Sequence, residues 1–141
     1  MLVLLGIMQM GLILNGFVTI SNASREGARA ATVYLYDRNK TKAENDAARE
    51  AAARSALDAS MGLLSKTAPQ LATSDVVISY PCDAASPPSG CGPANDPRTG
   101  QYIKVRMTYH MDLFLPLVSN VMPHDSGGRL PMTTEATMVI N

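Results

Sequence analysis

Tryptophan is absent from this chain of 141 residues, and phenylalanine and tyrosine are sparse, at two and five. A large aromatic core is excluded, while nine methionines and abundant alanine suit helix-to-helix packing. Net charge is missing too, because twelve basic residues balance twelve acidic ones. No global field draws such a chain to nucleic acid or to an acidic surface, so no nucleic-acid partner is expected. Two cysteines with no histidine nearby cannot fill a tetrahedral metal site. The length suits one domain, or one small domain carrying an extended element.

Charge is wholly absent from residues 1–20, MLVLLGIMQMGLILNGFVTI. As a helix this stretch is about 30 Å long, enough to cross the hydrocarbon layer of a bilayer. A cleaved signal peptide would show a basic start and an A-x-A-like exit, and both are missing. Gly6, Gly11 and Gly16 recur every five residues and form notches where a neighbouring backbone can approach. No proline interrupts residues 21–36, and helix formers dominate, so the helix is expected to continue to about Tyr36. Its second half is polar and alanine-rich, with Glu26 and Arg29 placed to pair along one face.

A second helix is expected over residues 41–66, opened by Thr41 and Glu44 in capping-box spacing and closed ahead of Pro69. Ala43, Ala47, Ala53, Leu57, Met61 and Leu64 make its apolar stripe, opposite a solvated face of Asp46, Arg49, Glu50 and Arg54. Over residues 75–141 the period changes from helical to alternating. VVISY is a short strand; in QYIKVRMTYHMD the residues Gln101, Ile103, Val105, Met107, Tyr109 and Met111 share one face. LPMTTEATMVIN repeats the pattern with Leu130, Met132, Ala136, Met138 and Ile140. The fold class is α+β: a long N-terminal helix and a second helix packed on an antiparallel sheet of three to four strands. The sheet needs a cover, and the second helix with the polar half of the first is expected to supply it.

Between the first two strands, Cys82 and Cys91 bracket a loop rich in proline, glycine and serine, with too little apolar content to hold its own shape. Two free thiols are the alternative. A disulfide would add ~2–3 kcal/mol in the chain-entropy model and places residues 75–141 outside the cytoplasm. Arg25 and Arg29 just after the span argue for the opposite orientation by the positive-inside rule, but Glu26 between them weakens that signal.

The run LLGIMQMGLILNGFVTISNASREGARAAT resembles the TadE-like family of tight-adherence pilus proteins, pilin-like subunits of the type IV filament superfamily. There a leucine-rich run with spaced glycines leads into an AAREGAR block. Ala23, Ser24, Arg25, Glu26, Gly27, Ala28 and Arg29 match it, with Ser24 in place of an alanine. The motif covers residues 4–33; the rest is similar in architecture only. The resemblance implies a helix that sits first in the inner membrane and then packs in the core of an extracellular helical filament. The partners are then further copies of the chain, a second pilin-like subunit, or an upstream helical segment. Gly6, Gly11, Gly16, Arg25, Glu26, Gly27 and Arg29 are the expected assembly interface. Two departures stand out: Gln9 replaces an acidic residue, and the family's basic leader, cleavage site and early glutamate have no counterpart before Leu2. In the family's register Met1 lies inside a longer helix.

Against this stand candidates for chemistry. His110, Asp112, His124 and Asp125 could hold a surface cation or move protons, but no phosphate loop, nucleophile elbow or paired carboxylate accompanies them. NDPRTG, with Asn95, Asp96 and Thr99, lacks the ligand count of an EF-hand loop and reads as a turn. The sequons at Asn22 and Asn39 are glycosylation acceptors only in a glycosylating host. No cofactor is expected. Three readings follow: a structural filament subunit without catalysis, a minor membrane-anchored pseudopilin that helps assembly, and a single-span extracytoplasmic binding domain or enzyme.

Overall fold

A computed structural model describes residues 1–34, 36–62, 73–93, 97–113 and 123–141. Helix α1, Leu2–Val33, is followed by helix α2, Lys42–Met61. Strands β1 (Val76–Ser79), β2 (Tyr102–Asp112) and β3 (Arg129–Val139) form an antiparallel sheet in the order β1-β2-β3. The α+β class is therefore met with three strands, and no fourth is seen among the described residues.

Helix α1 stops three residues before the expected Tyr36, because Tyr34 is extended with ψ 124°. Buried Asn45 organises this exit. Its side-chain carbonyl accepts from the Asp37 amide at 2.9 Å and from the Tyr34 hydroxyl at 3.3 Å. Its amide donates to the carbonyls of Asp37, Lys40 and Thr41 at 2.9–3.2 Å. The capping box is present: Thr41 Oγ1 accepts from the Glu44 amide at 3.3 Å, and a Glu44 carboxylate oxygen accepts from the Thr41 amide at 2.7 Å. That amide holds the Glu44 carboxyl below the usual range.

Helix α2 ends at Met61, where Gly62 takes φ +55°, a conformation that glycine adopts freely. The expected extension to Lys66, and Leu64 with it, lies outside the described residues. Its buried stripe is Asn45, Arg49, Ala53, Leu57 and Met61, a strict four-residue repeat. This corrects two expectations. Ala43 and Ala47 are exposed, and Arg49 lies on the buried face at 1% exposure rather than on the solvated one. Arginine is tolerated there because its guanidinium reaches Asp46 at 3.1 Å and the Pro97 carbonyl at 3.2 Å, and stacks over Tyr34.

The alternation of β2 and β3 is as expected. Gln101, Ile103, Val105, Met107 and Tyr109 are buried, as are Met132, Ala136 and Ile140. The cover differs in its arrangement, since α1 itself lies between α2 and the strands β2 and β3. Ile13 and Ile20 come from its apolar half, Ala23 and Ala28 from its polar half; all four join Leu57, Met61, Val105, Met107 and Met132 in the main core. A second cluster of Ala31, Ala53, Ile103 and Ile140 closes the far end. The outer face of the sheet carries the pair Lys104–Glu135 at 3.1 Å and a Thr108–Thr133 hydroxyl contact at 3.1 Å.

Candidate membrane and assembly helix

In α1 the residue pattern separates two surfaces. Gln9, Ile13, Gly16, Ile20, Ala23, Ser24, Gly27, Ala28 and Ala31 are buried. They recur every three to four residues and so form one face. On the remainder of the N-terminal half, Val3, Leu4, Leu5, Ile7, Met8, Met10, Leu12, Leu14, Phe17 and Val18 are 41–77% exposed. At about 100° per residue these ten side chains spread over roughly 240° of the helix circumference. One partner helix covers a much narrower stripe. The helix is long and apolar enough to cross a membrane, with a mean hydropathy of 1.9 in its most apolar window.

The glycines divide accordingly. A side chain at Gly6 or Gly11 would meet nothing within 4 Å; Gly11 is exposed on the outward face, while Gly6 is half-buried on the side of Gln9 and Ile13. Gly16 is occupied from within, since a Cβ there would fall 2.5 Å from the Met111 methyl and 3.3 Å from that of Met132. At Gly27 a Cβ would lie 3.1 Å from the Ala53 carbonyl and 3.4 Å from the Leu57 Cβ. Gly27, expected in the assembly interface, makes its close contact with α2 of the same chain. Arg25, Glu26 and Arg29 are exposed on the opposite side and remain available to another molecule. Gly27, Ala28 and Ala31 of the REGARAA block serve the inward face, and its charges serve the outward one.

Cys82 and Cys91 are bonded to each other, with Cα atoms 5.8 Å apart. The loop they close lies beside a buried arginine that sequence reasoning passed over. Arg98 is 3% exposed and donates to both carboxylate oxygens of Asp46 at 2.8 Å, to Asp83 at 2.8 Å and to the Gln101 side chain at 3.1 Å. Its guanidinium also stacks on Tyr80 at 3.8 Å. Burial opposes the Arg98 charge, but the hydrogen bonds to Asp46 and Asp83 outweigh it and raise the pKa. In return the Arg98 hydrogen bond holds the Asp83 carboxyl below its ordinary value. Helix α2, the disulfide loop and the entry to β2 are pinned together here. Arg98 sits at φ +60°, a left-handed conformation held by these contacts. Gly92 and Gly100 close the same corner, with the Gly92 amide donating to the Gly100 carbonyl at 2.9 Å. A Cβ on Gly92 would strike that carbonyl at 2.9 Å.

Of the residues singled out for chemistry, His110 and Asp125 are brought together. His110 Nδ1 lies 2.9 Å from Asp125 Oδ2, while Asp125 Oδ1 accepts from the amides of Gly127 and Arg129 at 2.8 and 2.9 Å. The Arg129 amide, then that of Gly127 and the His110 ring, lower the Asp125 pKa. Asp125 thereby shapes the turn that enters β3. Asp112 is exposed at the end of β2, opposite Arg129, and His124 precedes the turn. No group of three metal-ligating side chains occurs among the described residues. Asn95 and Asp96 lie outside them, and Thr99 occupies a turn. Asn22 and Asn39 are both exposed, but the Ser24 hydroxyl of the first sequon is buried and donates to the Ser21 carbonyl at 2.9 Å. No family model, no curated protein and no solved structure matches the chain.

Proposed function

We propose that this chain is a structural, pilin-like subunit, held in a membrane by α1 before assembly and then polymerised through that helix into an extracellular filament, with no catalysis of its own. The observation that carries the reading is the surface of α1. Its N-terminal half exposes large apolar side chains around most of the circumference, while its C-terminal half anchors a small folded domain. A soluble monomer does not leave such a surface in water, since each buried residue of this size is worth ~1.5–3 kcal/mol. Lipid covers it first and neighbouring α1 helices cover it afterwards. The open notches at Gly6 and Gly11 and the exposed charges Arg25, Glu26 and Arg29 are the contact points of the second state. The disulfide suits an oxidising location.

The test is immuno-electron microscopy of material sheared from cells that produce the chain, with antibody raised against residues 73–141. Continuous decoration of filaments is expected. Antibody confined to the membrane pellet, with bare or absent filaments, would instead favour the minor pseudopilin role.

A further inference from the structure

The way α1 is docked fixes how deep its domain must sit. Leu12, Leu14, Phe17 and Val18 are exposed at 41–58%, at the same height along α1 as Gly16, whose notch receives Met111 and Met132 of the sheet. The first exposed polar residue above them is Asn22, six residues beyond Gly16 and about 9 Å higher. A lipid boundary drawn between Val18 and Asn22 therefore cuts the sheet above its lower end. The polar layer on each side of a bilayer is roughly 5–8 Å thick, so with that boundary taken as its water-side edge the end of the sheet, about 3–9 Å below, falls within it.

Resting on the reading of α1 as a membrane anchor, we propose that the end of the sheet formed by Met111, Leu130 and Met132 sits in the headgroup layer, with the turn from Asp125 to Arg129 facing the headgroups. The partner of this surface is a lipid bilayer. Two independent features fit that position. Leu113 and Leu130 are only half-buried there and extend the apolar belt of α1 sideways. The turn also meets its own polar needs. The Asp125 amide donates to the Arg129 carbonyl at 2.8 Å, the Gly128 amide to the Asp125 carbonyl at 3.0 Å, and the Asp125 carboxylate takes the Gly127 and Arg129 amides and the His110 ring. A turn so satisfied loses little when its water is partly replaced by headgroups.

The experiment uses the full chain, its disulfide intact, in vesicles of phosphatidylcholine and phosphatidylglycerol. A single environment-sensitive fluorophore is attached through Leu4→Cys, Ser126→Cys or Asn39→Cys, and quenching by lipids carrying a nitroxide at the headgroup or in the acyl chain is read. The Leu4 probe should be quenched by acyl-chain nitroxide, and the Ser126 probe by headgroup nitroxide several-fold more than the Asn39 probe at the far end of the domain. Quenching at Leu4 without excess quenching at Ser126 means that the domain stands clear of the surface, and overturns this inference alone. No quenching at Leu4 overturns the membrane reading and this inference with it.

Discussion

Replacing Gly27 with leucine perturbs the closest approach of α1 to α2. The first added carbon would lie 3.1 Å from the Ala53 carbonyl oxygen and 3.4 Å from the Leu57 Cβ, and Leu57 Cδ1 follows at 3.7 Å. Alanine needs a shift of a few tenths of an ångström, and its gain in helix propensity of ~1 kcal/mol over glycine offsets the strain. Leucine adds three further carbons where Ala53 and Leu57 are each 1% exposed and have no room to retreat. Overpacking of this kind therefore falls in the upper part of its usual range, ~2–3 kcal/mol, and subtracting ~0.8 kcal/mol of propensity leaves a net loss of about 1–2 kcal/mol. Thermal melting of the full chain in mild detergent, followed by circular dichroism, should show a fall of roughly 4–10 °C for Gly27→Leu. Gly27→Ala should change little. Gly6→Leu is the control, because nothing lies within 4 Å of the added carbon and the gain in helix propensity means it should not lower the melting temperature. A Gly27→Leu variant that melts with the unchanged protein would refute the packing of α1 on α2.

Three other outcomes are expected. Asp46→Ala strips Arg98 of its two-pronged partner and leaves a buried guanidinium with Asp83 and Gln101; the loss should reach about 3 kcal/mol in urea titrations, and a loss below ~1 kcal/mol would contradict the pinning role. Asp83 and Asp125 have lowered carboxyl pKa values, so their stabilising contribution is present above the unfolded-state value of about 4 and drains away as the pH falls through the lower folded values. Urea midpoints should accordingly hold between neutral pH and about 4.5 and decline below about 4; a midpoint that rises on acidification would reverse the sign. Reducing Cys82–Cys91 should lower stability by ~2–3 kcal/mol, read as the difference between urea titrations with and without a phosphine reductant, while identical curves would remove the loop from the stability of the fold.

Elements whose burial follows a single period were legible in the sequence, and groups whose burial depends on distant partners were not. The inward residues of β2 and β3 were read correctly because alternation on a half-buried sheet is a local property. The start of α2 was read from the capping box for the same reason. Arg49 reads as solvent-facing because a charged residue on a helix ordinarily signals solvent; its satisfaction in the buried stripe comes partly from Pro97, 48 residues away. Arg98 was hidden in a stretch that resembles a turn, and its partners Asp46 and Asp83 come from two other segments. One local signal was available: residues 45, 49, 53, 57 and 61 form a strict four-residue repeat that includes both Asn45 and Arg49. The REGARAA block marked a packing helix, but its sequence does not distinguish an inward contact with α2 from an outward one with another copy.

Cryo-electron microscopy of native filament material would show directly whether α1 is the polymerising element. A helical assembly is expected in which α1 helices cluster at the axis, the side chains of Val3, Leu4, Ile7, Leu14 and Val18 are covered by neighbouring α1 helices, and the three-stranded domain faces outward. Native particles in which this chain is monomeric, or filaments in which those five side chains remain in water, would contradict it.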